Sequence, residues 1–143
     1  MSLKVLAIPS LMEGVKMRQS NPVGWFEIYV DEMDRAKAFY EAVLDVTLEK
    51  LESPAKMDIE MWCFPSEMER YGAAGALAHM SGVKAGGNST LVYFSCDDCA
   101  IEESRVETSG GQVQVPKMSI GDYGFISIVS DTEGNTIGLH SMK

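Results

Sequence analysis

Apolar and polar residues alternate along residues 25–30, and from residue 33 the spacing changes to a helical one. The alternation predicts a strand with one apolar face, and the spacings of three and four that follow predict a helix. Asp31 stands between them as the expected N-cap, and the helix should end near Asp45. The expected buried stripe of this helix is Met33, Ala36, Phe39 or Tyr40, Val43 and Leu44.

The same strand–acid–helix pattern occurs again 66 positions later, where Asp97 corresponds to Asp31. A strand is predicted over Thr90–Cys96, and a helix over Asp98–Ser109. An internal repeat of this kind indicates two similar modules. The other predicted strands are Thr47–Leu51, Asp58–Phe64, Gly75–Met80, Gln112–Val115, Phe125–Val129 and Thr136–His140, with a loop over Pro116–Asp122.

Each module therefore has the predicted order βαβββ, which makes the fold class α+β with two tandem modules around one concavity. We expect the modules at 22–82 and 88–142, within a single domain over 22–142. The glycine-containing stretch between them is typical of a linker. Residues 1–21 are interpreted as an N-terminal extension in which Lys4–Pro9 could form a short strand.

Composition narrows the class of protein. The net charge of −9 argues against binding to nucleic acid or an anionic membrane surface. There is no apolar run of the roughly 18 residues that a membrane span needs, and Glu13 and Lys16 interrupt the apolar N-terminal stretch that a signal peptide requires. We therefore expect a soluble cytoplasmic protein.

The cysteines form one Cys-x-x-Cys motif, Cys96-Asp-Asp-Cys99. Two aspartates between the thiols would raise the thiol pKa, whereas a redox pair needs it lowered. The repeat aligns Cys96 with Val30 and Cys99 with Met33, both apolar. We therefore interpret these cysteines as core residues rather than as redox or metal ligands.

These motifs together resemble the vicinal-oxygen-chelate superfamily, which includes glyoxalase I, bleomycin-resistance proteins and extradiol dioxygenases. The resemblance covers about residues 22–142. It rests on Arg35-Ala-Lys-Ala-Phe-Tyr40 after the first strand, Asp97-Asp98 after the second, and Asp131-Thr-Glu-Gly-Asn135 near the end. The resemblance implies a cupped sheet and a homodimer, with chemistry that varies between members.

Metal-using members hold a divalent ion with residues from the first and last strands of each module. By the resemblance, the first-strand ligand positions here are Trp25 and Leu91, and the last-strand positions are Gly138 and Ala76, or Ala78 instead of Ala76. None of these side chains can bind a metal ion. We therefore expect no metal cofactor, and a pocket that binds a small organic molecule without one.

Strand parity predicts which residues line that pocket. If Phe26 and Ile28 pack under the helix, Glu27 faces the concavity, and His140 does so on the last strand. Glu27 and His140 are the tentative catalytic acid and base of an alternative function, that of a lyase or isomerase related to glyoxalase. The predicted ligand contacts are Trp25, Tyr29, Trp62, Leu91, Tyr93, Phe125 and Gly138.

Simpler roles stay open for both polar residues. Glu27 could be a solvated or salt-bridged carboxylate at a dimer edge. His140 could be a hydrogen-bonded part of the pocket wall. Glu27, Glu60 and His140 could in principle form a displaced metal site. A pocket-bearing partner protein without chemistry of its own is a third function class.

Overall fold

The computed structural model of the chain describes residues 14–16, 18, 20–53, 57–87, 89–132 and 134–143. The strand predicted over Lys4–Pro9 lies outside these residues. The elements of the first half are β1 (Val23–Tyr29), α1 (Met33–Leu44), β2 (Glu49–Leu51), β3 (Ile59–Cys63) and β4 (Ala74–Met80). Those of the second half are β5 (Thr90–Ser95), α2 (Cys99–Ser104), β6 (Gln112–Ser119), β7 (Phe125–Ser130) and β8 (Thr136–Ser141).

The strands form one eight-stranded sheet in the order β2-β3-β4-β1-β5-β8-β7-β6. Each half has the same internal arrangement, because β1 pairs parallel with β4 as β5 pairs parallel with β8. The halves join where β1 and β5 pair antiparallel. The predicted α+β fold with two βαβββ repeats is confirmed.

The strand parity assigned to β1 is also confirmed. Ile28 and Val30 pack with Met33 of α1 and with Leu77 of β4. Tyr29 belongs to a separate cluster with Met61, Ala76 and Ala78. The sheet therefore has one face covered by the helices and an opposite face, which we call the helix-free face, that carries Glu27.

The N-cap of α1 is Glu32 rather than Asp31, so the predicted cap was wrong by one residue. Glu32 has extended backbone angles but makes no side-chain capping bond. The Asp31 carboxylate instead accepts a hydrogen bond of 3.0 Å from the backbone of Ala85 in the linker. In the second half the N-cap is Asp98, which lies 66 positions after Glu32 and accepts from Ala100.

The predicted buried stripe of α1 is correct from Met33 to Tyr40. Met33 is buried, and Ala36 and Tyr40 pack against the same cluster while partly exposed. Phe39, Val43 and Leu44 are each more than half exposed. Because the last turn of α1 does not pack on this cluster, periodicity alone overestimated the length of its buried face.

Two predictions for the second half also fail at their boundaries. The helix predicted to reach Ser109 ends at Ser104, where the Ser104 hydroxyl donates to the Ile101 carbonyl and competes with helix continuation. The loop predicted from Pro116 onward is the second half of β6. Proline is tolerated there because β6 is an edge strand with irregular register on both sides of Val115.

The repeat predicts core positions for both Cys96 and Cys99. The structure places Cys99 in the core and Cys96, which is half-buried, at its edge. Cys99, the first residue of α2, is fully buried, and Cys96 packs against the same cluster. All three cysteines are free thiols. Across the described part of the chain, none of the helices is long and apolar enough to cross a membrane.

Candidate binding site on the helix-free face

Glu27 is the central polar residue of the helix-free face. It is only 7% exposed, although it lies in the middle of a strand. The indole Nε1 of Trp25 donates to one carboxylate oxygen at 3.0 Å, and the Tyr29 hydroxyl donates to the other at 2.7 Å. Both donors come from β1 itself, because residues two apart in a strand share a face.

A third polar group lies near Glu27 from the second half of the sheet. Tyr93 on β5 is the diagonal neighbour of Glu27, because Tyr93 pairs with Trp25 and Leu91 pairs with Glu27, and its phenol favours the charged form of the carboxylate. Tyr93 lies 66 positions after Glu27, so the two residues are equivalent in the repeat and meet at the β1–β5 junction. Tyr93 is buried to the same degree as Glu27.

Burial dominates the electrostatics of this cluster. Removal from water raises the pKa of Glu27, and the hydrogen bonds from Tyr29 and Trp25, together with the nearby Tyr93 phenol, offset part of that rise. Burial, followed by the neighbouring Glu27 charge, raises the pKa of both Tyr29 and Tyr93, so both phenols stay protonated donors. Within the described residues, no ion pair involves Glu27.

Apolar and small residues surround Glu27 on this face. Ala76 is its neighbour on β4 and Leu91 its neighbour on β5. Ile59, Met61 and Ala78 complete the buried cluster, and Trp25 and Leu91 pack on it while partly exposed. The carboxyl group therefore lies among aromatic and aliphatic side chains, a combination that is common in small-molecule sites.

His140 also lies on the helix-free face, but the structure does not bring it to Glu27. Glu27 pairs with Leu91, whereas His140 pairs with Ser95 at the other end of β5. Strand spacing and rise place their Cα atoms on the order of 16 Å apart along the sheet. The His140 Nε2 donates to the Tyr123 carbonyl at 2.6 Å, which agrees with the hydrogen-bonded wall role.

Two predicted ligand contacts lie on the wrong face. Trp62 pairs with Leu77 and packs in the cluster under α1, where the Lys37 ammonium lies 3.3 Å from its ring centroid. Phe125 packs with Cys99 under α2. Neither strand's parity was assigned from the sequence, so these aromatic residues were grouped with the pocket by type alone.

Glu60 also lies on the helix side, where it accepts a hydrogen bond of 3.0 Å from the Trp62 indole. It borders a shallow acidic hollow of about 350 Å³ together with Asp31, Glu32, Met33, Asp34 and His79. The displaced metal site of Glu27, Glu60 and His140 is therefore wrong, because the sheet separates Glu60 from Glu27. Among the described residues, no group of three or more His, Cys, Asp or Glu side chains could hold a metal ion.

The four positions that hold metal in the family lie on neighbouring strands of the helix-free face. The register Glu27–Ala76 in the first half matches Tyr93–Gly138 in the second, which identifies Ala76 rather than Ala78 as the partner of Gly138. A Cβ atom added to Gly138 would lie 2.2 Å from Tyr93 Cδ1. Trp25, Ala76, Leu91 and Gly138 offer no donor atom, and the Tyr93 ring fills the space beside Gly138, so these residues do not fit a metal ion.

Other wall residues were missed from the sequence. Ile126 and Ile128 lie opposite His140 and Gly138 on β7, so they share the helix-free face. Val115 and Met118 continue it onto β6 and are each more than a third exposed. Alternation along residues 125–130 could have identified the first pair, but the expected loop after Pro116 concealed Met118.

This fold agrees with comparisons to known proteins. The family model of the Glyoxalase/Bleomycin resistance protein/Dioxygenase superfamily matches residues 23–139. The chain belongs to this superfamily, as the motifs predicted.

Two curated relatives match the chain over part of their own length. CFP32, named as a glyoxylase, from Mycobacterium tuberculosis and from Mycobacterium bovis is 31% identical over 110 residues, which cover 77% of this chain and 40% of the relative. The chain thus matches less than half the length of these curated relatives.

Solved structures with the same fold share still less sequence. A hypothetical protein from Bacillus halodurans superposes with a TM-score of 0.65 at 12% identity, covering 87% of this chain and 96% of that one. A variant of Streptomyces coelicolor methylmalonyl-CoA epimerase bound to 2-nitronate-propionyl-CoA gives a TM-score of 0.62 at 15% identity, covering 85% and 96%. At these identities the likeness concerns the fold.

Proposed function

We propose that the protein binds a small, flat organic molecule on the helix-free face, with Glu27 as its polar anchor and without a metal ion. The observation that carries this proposal is the Glu27 carboxyl group, which is buried beside Trp25, Tyr29 and Tyr93 with neutral donors around it. A buried carboxylate without a cationic partner is costly. A bound ligand that supplies an amine or another donor offsets that cost.

The carboxylate has capacity for such a ligand. A carboxylate offers about four lone-pair sites, and Trp25 and Tyr29 occupy two of them. The partly exposed Trp25 and Leu91 next to it supply apolar surface for a flat ring. An aromatic amine satisfies both requirements, because aromatic faces and a carboxylate each attract a cation.

Isothermal titration calorimetry with matched ligand pairs tests this proposal. Each pair joins an aromatic amine to a carboxylic acid of similar shape, for example tryptamine and indole-3-propionate. We expect at least one amine to bind while its paired acid does not. We also expect Glu27→Gln to weaken the binding of that amine by tenfold or more, which is about 1.4 kcal/mol.

Glu60→Gln is the matched control. Glu60 also accepts a hydrogen bond of 3.0 Å from the indole of a tryptophan two positions away, but on the helix side of the sheet. Its substitution removes the same charge from the protein and should leave amine binding unchanged. If no amine binds, or if the two glutamine variants weaken binding equally, the proposal is wrong.

A second candidate is proton transfer at carbon in an isomerase or lyase, with Glu27 as the base. The raised pKa of Glu27, caused by burial, favours this role because a more basic carboxylate takes a proton from carbon more readily. His140 is too far along the sheet to act on the same atom, so in this candidate Glu27 works without it.

Proton exchange in D₂O tests this candidate without requiring a complete reaction. Methylmalonyl-CoA is a reasonable probe, since epimerases of that substrate share the fold. We expect loss of its α-proton NMR signal with the wild-type protein and no loss with Glu27→Gln. Exchange that persists in Glu27→Gln would exclude Glu27 as the base.

The homodimer and the cytoplasmic location remain predictions.

A further inference from the structure

Tyr93 and Gly138 are in unusually close contact on the helix-free face. They are direct partners in the parallel β5–β8 pair. A Cβ atom on residue 138 would lie 2.2 Å from Cδ1 and 2.4 Å from Cε1 of the Tyr93 ring. Real Cβ atoms do not approach other atoms so closely, so the ring occupies a position that only glycine at 138 leaves free.

This position of the ring determines where its hydroxyl group lies. Tyr93 is 7% exposed, so its ring is held between the sheet and its neighbours. On the same face Glu27 is the diagonal neighbour of Tyr93 across the junction of the two halves, because Tyr93 pairs with Trp25 and Leu91 pairs with Glu27. Trp25 and Tyr29 donate to Glu27 from its own strand, whereas a hydrogen bond from Tyr93 would come from the second half.

We propose that Gly138 is a positioning residue for Glu27, which acts by seating the Tyr93 ring so that its hydroxyl group reaches the carboxylate. In metal-using relatives the equivalent position supplies a metal ligand, whereas here its missing side chain makes room for a hydrogen-bond donor. The inference deepens the proposed function and depends on it only for the step from Glu27 to ligand binding.

The titratable groups near Glu27 are few, which makes its ionisation a usable readout. They are Tyr29 on β1, Tyr93 on β5 and Cys63, which faces Glu27 across Ala76 from β3. The two phenols and the thiol have raised pKa values. A change in Glu27 titration between pH 4 and pH 8 therefore reports on its own hydrogen bonds.

Gly75 provides a control of the same chemical kind on the opposite face. A Cβ atom there would lie 2.4 Å from Cε1 of the Phe26 ring, on the helix side of the sheet. Gly75→Ala and Gly138→Ala thus each push a methyl group into an aromatic ring. Only Gly138→Ala should alter Glu27.

The experiment is a ¹³C NMR titration of the Glu27 carboxyl carbon, assigned by its disappearance in Glu27→Gln. The Tyr93 hydrogen bond favours the charged form of Glu27. We therefore expect Tyr93→Phe and Gly138→Ala each to tighten proton binding by about tenfold. Gly138→Ala added to Tyr93→Phe should produce little further change, because both act through one hydroxyl group.

The inference is overturned if Gly138→Ala moves the titration no more than Gly75→Ala, or if Tyr93→Phe leaves it unchanged. If Gly138→Ala does not fold, Tyr93→Phe decides, since it removes one oxygen atom and keeps the ring. Amine binding is measured separately on the same proteins. A titration that shifts as expected in a protein that binds no amine supports the inference and contradicts the proposed function.

Discussion

The indole group of Trp25 donates a hydrogen bond of 3.0 Å to the buried carboxylate of Glu27. The same arrangement occurs between Trp62 and Glu60 at the same distance, on the exposed helix side. The geometry of the two pairs is alike, and their surroundings differ. Burial raises the pKa of Glu27, whereas the Trp25 hydrogen bond lowers it.

Stability should fall as the pH rises through the range in which Glu27 ionises. Its pKa in the folded protein is raised above the unfolded value, so the folded state holds the proton more tightly. The stability contributed by this group is fully present below the unfolded pKa and is lost as the pH rises through the folded pKa. The slope for one proton is at most about 1.4 kcal/mol per pH unit.

Urea denaturation between pH 4 and pH 8 measures this dependence. The free energy of unfolding of Glu27→Gln should lack the fall, so the difference between wild type and this variant changes with pH. A constant difference for Glu27→Gln would contradict the burial argument.

Cys96 should react slowly with thiol reagents despite its Cys-x-x-Cys motif. Burial and the hydrogen bond to Glu102 raise the pKa of Cys96 to about 11. At pH 8 only about one such thiol in a thousand is ionised. Glu102→Gln should speed iodoacetamide labelling of Cys96, measured by peptide mass spectrometry, while the fully buried Cys99 stays unlabelled. A Cys96–Cys99 disulfide formed under mild oxidation would contradict the assignment of these residues to the core.

The two ends of α1 should respond differently to truncation. Met33→Ala removes a buried side chain and should cost about 2 kcal/mol or more. Val43, at 63% exposed, should tolerate alanine within about 0.5 kcal/mol. Chemical denaturation of both variants checks this, and equal losses would mean that Val43 is covered in solution.

The two helix N-termini should also differ. The Asp98 carboxylate caps α2 and pairs with Lys117 at 2.8 Å, whereas the Glu32 side chain makes no capping bond. Asp98→Ala should therefore lower the melting temperature more than Glu32→Ala. Asp98→Asn should lower the melting temperature less than Asp98→Ala does, because asparagine retains a capping oxygen. Thermal unfolding followed by circular dichroism distinguishes the three variants.

Much of the fold could be predicted because the repeat constrained it twice. The offset of 66 residues fixed equivalent strands and the face of Glu27, and strict alternation along β1 assigned its neighbours. The predicted boundaries were wrong at Ser104, where a local hydrogen bond ends the helix, and at Pro116, where an edge strand tolerates proline. Those effects depend on tertiary neighbours, which a periodic pattern does not contain.

The candidate site was predictable in part. Trp25, Glu27, Tyr29 and Tyr93 come from strands with clear parity, and the structure brings these four together. Trp62 and Phe125 were misplaced because their strands had no assigned face. The separation of His140 from Glu27 depends on strand register, which residue type and parity do not determine.

The antiparallel pairing of β1 with β5 has a consequence for how the protein folds. Glu27 belongs to one half and Tyr93 to the other, and contacts between residues so far apart in the chain form slowly. A first half that folds before the second would leave the carboxyl group without the Tyr93 phenol beside it. Completion of the Glu27 cluster thus reports that the two halves have docked, and a protein separated within the linker would regain it only when its fragments associate.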